Sequence, residues 1–253
     1  MMTATPTFDT LVDNPVLAAR GVTVDFDGVR ALDGVSFSVS AHEILGLIGP
    51  NGAGKTTFMN VLSGFQRPTT GAVHVADRDV TSWSPERIAR VGIGRTFQAV
   101  RPFPTLTVEQ NIELGALGTG ARRKVARERT DEILDALSLG HRRDAAAGAL
   151  PHGEERRLGI ARALASAPSV LLLDEPAAGT NESESDELVE SLRAIKARFE
   201  CALVIIEHDM RLIMGICQRI QVLDFGRTIA VGTPEEIRRD PAVLEAYLGM
   251  EAQ

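Results

Sequence analysis

Apolar and polar positions alternate along the first part of the chain. "VLAARGVTVDF", residues 16–26, and "ALDGVSFSV", residues 31–39, repeat with period two and predict an antiparallel pair of strands. The apolar run from Glu43 to Ile48 predicts a strand buried on both faces, which leads through "GPNGAGKTT" into a helix ending near Leu62. "TGAVHVADRDV" predicts a further β segment, and Ser84-Pro85 opens a short helix with proline at its first position. From Thr107 the period changes. "TVEQ" has the spacing of a capping box, and "RRKVARERTDEILDALSLG" returns apolar residues every three or four positions with charges between them. "LPHGEERRLGIARAL", Leu150 to Leu164, predicts a helix with a glycine and two acids at its start. "SVLLLDEP" and "ALVIIEH" are runs of the kind buried in a parallel sheet. "GTPEEI" and "RDPAVLEAYLG" predict two capped helices closing the chain.

The layout is α/β: a core from Ile44 to about Gln98 and from Ser169 onward, a helical insert from about Thr107 to Leu164, and a β subdomain in front. In domain terms, residues 1–15 are a flexible tail and residues 16–253 one domain, with a helical subdomain at about 99–168. The tail, "MMTATPTFDTLVDNP", has neither the basic start nor the apolar centre of a secretory signal. The 253 residues, 44% hydrophobic and 24% charged, have the composition of a soluble globular protein, with no apolar run as long as a membrane span. A net charge of −7 argues against a general nucleic-acid binder. Cys201 and Cys217 are too few for a disulfide framework and read as reduced core residues of a cytosolic protein.

The chemistry gathers at strand ends. "GPNGAGKT", Gly49 to Thr56, lies between a strand and a helix, the setting a phosphate loop requires. Its backbone N–H groups would wrap a phosphate, Lys55 would reach the β- and γ-phosphates, and Thr56 would hold Mg²⁺. "VLLLDEP" ends in two acids: Asp174 to bind Mg²⁺ and Glu175 to deprotonate an attacking water. Gln98 follows the strand-like "VGIGRT" and could touch both the metal and that water; alone it reads rather as a solvated loop residue. His208 ends "VIIEH", where a lone histidine is more often structural, and Phe26 is either a core aromatic or a stacking partner for a base. The Leu150 helix start presents free N–H groups suited to an anion, although the phosphate loop lies about a hundred residues earlier.

In this order, the motifs resemble the ABC ATPase family from Leu17 to Gly249. "PNGAGKTTFMNVLSGFQRPTTG", "RIARVGIGRTFQAVRPFPTLTVEQNI", "RRLGIARAL", "LDEPAAG" and "GTPEEIRRDPAVLEAYLG" narrow the resemblance to the ATP-binding subunits of branched-chain amino acid importers, the LivG type. It implies a phosphate-loop nucleotide-binding domain with a RecA-like core, an antiparallel β subdomain and a helical signature subdomain. It identifies Gly49, Pro50, Asn51, Gly52, Ala53, Gly54, Lys55, Thr56 and Thr57 as the Walker A loop and Phe26 as the adenine-stacking aromatic. Gln98 corresponds to the Q-loop glutamine, Asp174 and Glu175 to the Walker B pair, Ala178 to Asn181 to the D-loop, and His208 to the switch histidine. Leu150, Pro151, His152, Gly153 and Glu154 stand at the signature. In this family two subunits sandwich two ATP molecules, each site joining one subunit's Walker motifs to the other's signature. The Leu150 helix would then serve a phosphate held by another chain.

The resemblance further implies ATP and Mg²⁺ as cofactors, ATP hydrolysis, and membrane permease subunits as partners. It also implies a paralogous second ATPase, an extracytoplasmic solute-binding protein acting indirectly, no nucleic acid, and a peripheral place on the cytoplasmic face of the inner membrane. The loop Gln98 to Leu106 would dock the permease, with Phe103 either its apolar anchor or a buried core residue. The signature departs from the family's Leu-Ser-Gly-Gly-Gln: the serine hydroxyl is absent, Pro151 removes a backbone donor, and Glu154 brings a negative charge near the expected anion. Three other readings remain: an importer of urea, short amides or another small solute of the same branch, a soluble ABC ATPase acting on DNA or ribosomes, and a small-metabolite kinase. The chain lacks the second cassette and the coiled-coil or zinc inserts usual in the soluble class.

Overall fold

The computed structural model describes residues 11–97 and 102–248. The chain begins with β1 (Leu17–Phe26), β2 (Val29–Val39), β3 (Ile44–Ile48), α1 (Lys55–Leu62), β4 (Thr70–Val75), β5 (Arg78–Asp79), α2 (Pro85–Arg90) and β6 (Ile93–Arg95). Three helices follow: α3 (Val108–Gly118), α4 (Arg123–Ala136) and α5 (His152–Ala165). Strands and helices then alternate as β7 (Val170–Asp174), α6 (Glu182–Arg198), β8 (Ala202–Ile206), α7 (Met210–Ile216) and β9 (Arg219–Asp224). The described chain ends with β10 (Arg227–Gly232), α8 (Pro234–Ile237) and α9 (Pro241–Leu248).

A six-stranded sheet has the order β10-β9-β3-β8-β7-β6, parallel except for the β10–β9 pair. An antiparallel sheet, β2-β1-β4-β5, stands in front of it. This corrects the sequence layout, which kept residues 70–79 in the core. β4 alternates buried Val73 and Val75 with half-buried His74, a pattern that suits a sheet covered on one face, and it pairs with β1.

The central strands are buried on both faces, and their period of two sorts side chains into two cores. Leu171, Leu173, Leu203 and Ile205 join the helices in one cluster. Val170, Leu172, Ala202, Val204 and Ile206 join the front sheet and α1 in the other. The helical group packs on the first cluster through Ile112, Ile133 and Leu158. Gly115 allows α3 to approach α5 closely, since a Cβ there would lie 2.2 Å from the Arg162 carbonyl oxygen.

Local signals hold with two amendments. The Thr107 hydroxyl accepts from the Gln110 N–H at 3.1 Å while Gln110 Oε1 accepts from the Thr107 N–H at 2.9 Å, completing the capping box. Asp240 Oδ1 accepts from the N–H groups of Ala242 and Val243, and Thr233 caps α8. Ser84, however, makes no side-chain cap on α2; Pro85 alone marks that start. Of the segment read as a tail, residues 1–10 lie outside the described residues, but the Val12 N–H donates to Ser38 Oγ at 2.8 Å, so the segment is tied to β2 from there. Cys201 and Cys217 are free and buried, and burial pushes both thiols up to about 12.

Candidate functional site

Parallel strands end together, and the loop Gly49–Thr57, Asp174, Glu175 and His208 lie at that edge. β3 runs into Gly49–Gly54, and Gly54, at φ 99°, is the N-cap of α1, with no side-chain cap on the helix. The loop is wedged from below. At Gly49, with φ +149°, a Cβ would lie 2.0 Å from the Leu223 carbonyl oxygen of β9. The uncapped first turn of α1 presents N–H groups beyond the loop. Lys55 is buried, and its ammonium donates to the carbonyl oxygens of Gly49 at 2.7 Å and Pro50 at 2.9 Å. Burial lowers its pKa, opposed by the carboxylates of Glu175 and Asp174. Asn51, Gly52 and Thr56 are exposed, and Thr57 is half-buried.

β7 delivers the acids. Asp174 is buried and pairs with Arg95 of β6, Nη2 to Oδ2 at 3.1 Å. Arg95 Nη1 also donates to Asn60 Oδ1 at 2.7 Å and Ser63 Oγ at 2.8 Å, and its guanidinium lies 4.9 Å from the Phe97 ring centre. Burial lowers the Arg95 pKa, opposed by Asp174. Glu175 follows at φ +50° in a left-handed turn, with its N–H donating to the Ile206 carbonyl at 2.9 Å. From the end of β8, His208 brings Nε2 to 3.0 Å from Glu175 Oε1. His208 therefore joins the acid pair rather than the core.

Phe26 is 45% exposed at the end of β1, which excludes the core alternative. Strand β2 starts beside the loop: a Cβ on Gly54 would lie 2.7 Å from the Ala31 carbonyl oxygen. Phe103 is 48% exposed with the Arg162 guanidinium 5.1 Å from its ring centre, so it is not buried core either. Gln98 lies outside the described residues, as do the next three positions of the loop it opens.

The signature segment lies on α5, whose helical span starts at His152, two residues later than the Leu150 read from sequence. Pro151 at the N-cap has φ −58°, ψ 155° and no N–H to contribute, and no side chain caps the helix. Glu154 does not add bare charge at this opening. It accepts from Arg142 Nε at 2.8 Å, and His141 Nε2 lies 3.1 Å from its other oxygen. Gly153 faces its own chain, since a Cβ there would lie 3.2 Å from Glu184 Oε1. In the turn after Glu175, Thr180 Oγ1 donates to the Ala177 carbonyl at 2.7 Å and Asn181 caps α6.

A family model for the ABC transporter covers residues 32–178, more than half of the chain. The chain belongs to the ABC transporter ATP-binding family. A second model, for the branched-chain amino acid ATP-binding cassette transporter, covers residues 227–251. The high-affinity branched-chain amino acid transport ATP-binding protein LivG of Salmonella typhimurium is 41% identical over 94% of this chain and 99% of its own. The lipopolysaccharide export system ATP-binding protein LptB of Acidithiobacillus ferridurans is 38% identical over 87% of this chain and 90% of its own. Among solved structures, the ADP conformation of an ATP-binding cassette of an ABC transporter superposes with a TM-score of 0.83 at 30% identity, covering 93% of this chain and 99% of that one. The family fixes the activity as that of a nucleotide-binding ATPase subunit of a transporter.

Three site neighbours escaped the sequence reading: Arg95, Arg156 and Glu207. Arg95 left a faint signal as a charge closing the apolar "VGIG" run, and Glu207 as an acid after "ALVII".

Proposed function

We propose that this chain binds MgATP at Gly49–Thr57 and hydrolyses it to drive an importer of branched-chain amino acids. The observation that carries the reading is the Glu175–His208 pair, 3.0 Å apart, on the same sheet edge as the phosphate loop. Glu175 takes a proton from the water that attacks the γ-phosphate, and His208 holds that carboxylate in place. Lys55 exchanges the carbonyls of Gly49 and Pro50 for the β- and γ-phosphates, a charge-assisted contact. Phe26, exposed at the end of β1, stacks on adenine.

Among the described residues no cluster of three His, Cys, Asp or Glu side chains could bind a metal alone. The Thr56 hydroxyl and Asp174 carboxylate are hard oxygen donors, few in number, which fits Mg²⁺ carried mainly by nucleotide phosphates and water. With Gln98 they would hold it, and it would neutralise charge on the β- and γ-oxygens.

Residues Leu150 to Glu154 meet the ATP of a second, paralogous subunit in trans. Two sites make a workable switch where one does not. At a hundredfold excess over Kd each site favours the closed form by about 2.7 kcal/mol, and about 5.5 kcal/mol turns a 1:99 equilibrium into 99:1. Among the described residues no helix is long and apolar enough to cross a membrane, which is in keeping with a peripheral subunit on the cytoplasmic side of a separate permease. Phe103 is the exposed apolar residue for that contact, and a solute-binding protein on the far side would deliver the solute.

The solute assignment rests on the family model at residues 227–251 together with 41% identity to a LivG protein over 94% of this chain. The test is reconstitution of the chain with its co-purifying membrane subunits in proteoliposomes. ATP-dependent uptake of leucine, isoleucine or valine is expected. Hydrolysis coupled to a different solute, or to export, would replace this reading.

A further inference from the structure

We infer that the Pro176–Ala177 peptide is clamped at both polar atoms, by Arg156 and Glu207, and that this clamp positions Glu175 for hydrolysis. The inference rests on the reading of Glu175 as the base and adds two positioning residues to it.

Glu175 needs such a device. Its φ of +50° is a left-handed conformation in a residue with a side chain, and such conformations persist only where the surroundings hold them. Its own N–H is fixed on the Ile206 carbonyl at 2.9 Å. The peptide that follows is fixed at both ends. Its N–H, on Ala177, donates to Glu207 Oε1, and its C=O, on Pro176, accepts from Arg156 Nη1 at 3.2 Å. Because the peptide is planar, two anchors on opposite sides set its orientation.

Glu207 is 4% exposed, and its other oxygen accepts from the His208 N–H at 3.0 Å. The same carboxylate thus holds the backbone on both sides of the Glu175–His208 pair. Burial raises its pKa and Glu175 adds to this, while the N–H groups of Ala177, His208 and Asp209 oppose it. Arg156 reaches the peptide from α5, one turn after His152, with Nη2 3.3 Å from His152 Nε2. The clamp therefore joins the opening of the signature helix to this chain's own hydrolytic carboxylate.

The test uses the full chain in its assembled transporter. Glu207→Gln keeps the shape and replaces one acceptor oxygen by an amide donor; Arg156→Met keeps the stem and removes the donor. Each is expected to lower kcat about tenfold with nucleotide affinity changed less than about twofold. The double variant should fall little below the worse single, because both act on one peptide. Arg156→Lys, which still donates, should recover part of the loss. A kcat within about twofold of the unmodified chain in both singles, or losses that multiply in the double, would overturn the clamp. If Glu207→Gln fails to fold, Arg156→Met and Arg156→Lys decide by the same criteria. Glu175→Gln, measured alongside, separates the two levels. Normal turnover there refutes the base itself, whereas a dead Glu175→Gln beside normal clamp variants refutes only the clamp.

Discussion

The openings of α1 and α5 both leave their first N–H groups without a side-chain cap, and they are built differently. The opening of α1 is enclosed by its own chain. Gly49 fits under Leu223, Gly54 fits against Ala31, and Lys55 is buried between the loop carbonyls and two carboxylates. The opening of α5 has none of this. It starts from a proline, no side chain caps it, His152 points a largely exposed ring outward, and its one acid of concern, Glu154, is paired with Arg142 and lies beside the His141 ring. The first is a nearly complete receptor, and the second is an open donor surface whose nearest cation, Arg156, is turned back onto Pro176 of its own chain. On the proposed reading, a second subunit brings the phosphate to this surface.

Glu175→Gln bears hardest on the complete side. Turnover should fall by about a thousandfold while ATP affinity holds, since a proton acceptor is lost and size is kept. Single-turnover hydrolysis and nucleotide titration check it, and substantial residual turnover would remove Glu175 from its role. Arg95→Met tests whether that edge is preformed. It leaves buried Asp174 without its partner, a change that costs about 3 kcal/mol. Urea unfolding should show the loss; unchanged stability would mean the pair contributes nothing to the edge. Lys55→Ala should weaken nucleotide binding by about a hundredfold, by deleting the charge that bridges the phosphates. Undiminished affinity would count against the phosphate loop itself.

What was legible from sequence follows the same division. The α1 opening could be read because its determinants lie within nine consecutive residues, Gly49 to Thr57. The strands around it could be read because burial on both faces leaves unbroken apolar runs, and α3 and α8 because their caps are local. The contacts that finish the site are distant in the chain. Arg95 and Asp174 are 79 positions apart, His208 and Glu175 33, and Glu207 and Ala177 30. No local period encodes such pairs. The placement of β4 was missed because a run inside the core's span of sequence can still pair elsewhere. Glu154 looked unfavourable because its compensating cation, Arg142, sits on a neighbouring turn with no fixed spacing from it.

His152→Asp sharpens the comparison most selectively, with the smallest effect. Gly153→Asp would be a poorer probe, because its new side chain would emerge against Glu184 of the same chain. At position 152, the first of α5, an aspartate suits the helix dipole and is worth a few tenths of a kcal/mol, about 0.5, to this chain's own fold. Any loss of hydrolysis then reflects repulsion of a phosphate that approaches from outside. In a transporter with two different ATPase subunits, hydrolysis should fall about tenfold at one site only, with a charge-repelled phosphate as the cause. Photo-labelling should find the uncleaved ATP on the partner subunit, while Glu175→Gln leaves it on this chain. Uncleaved ATP on this chain after His152→Asp would sink the trans assignment.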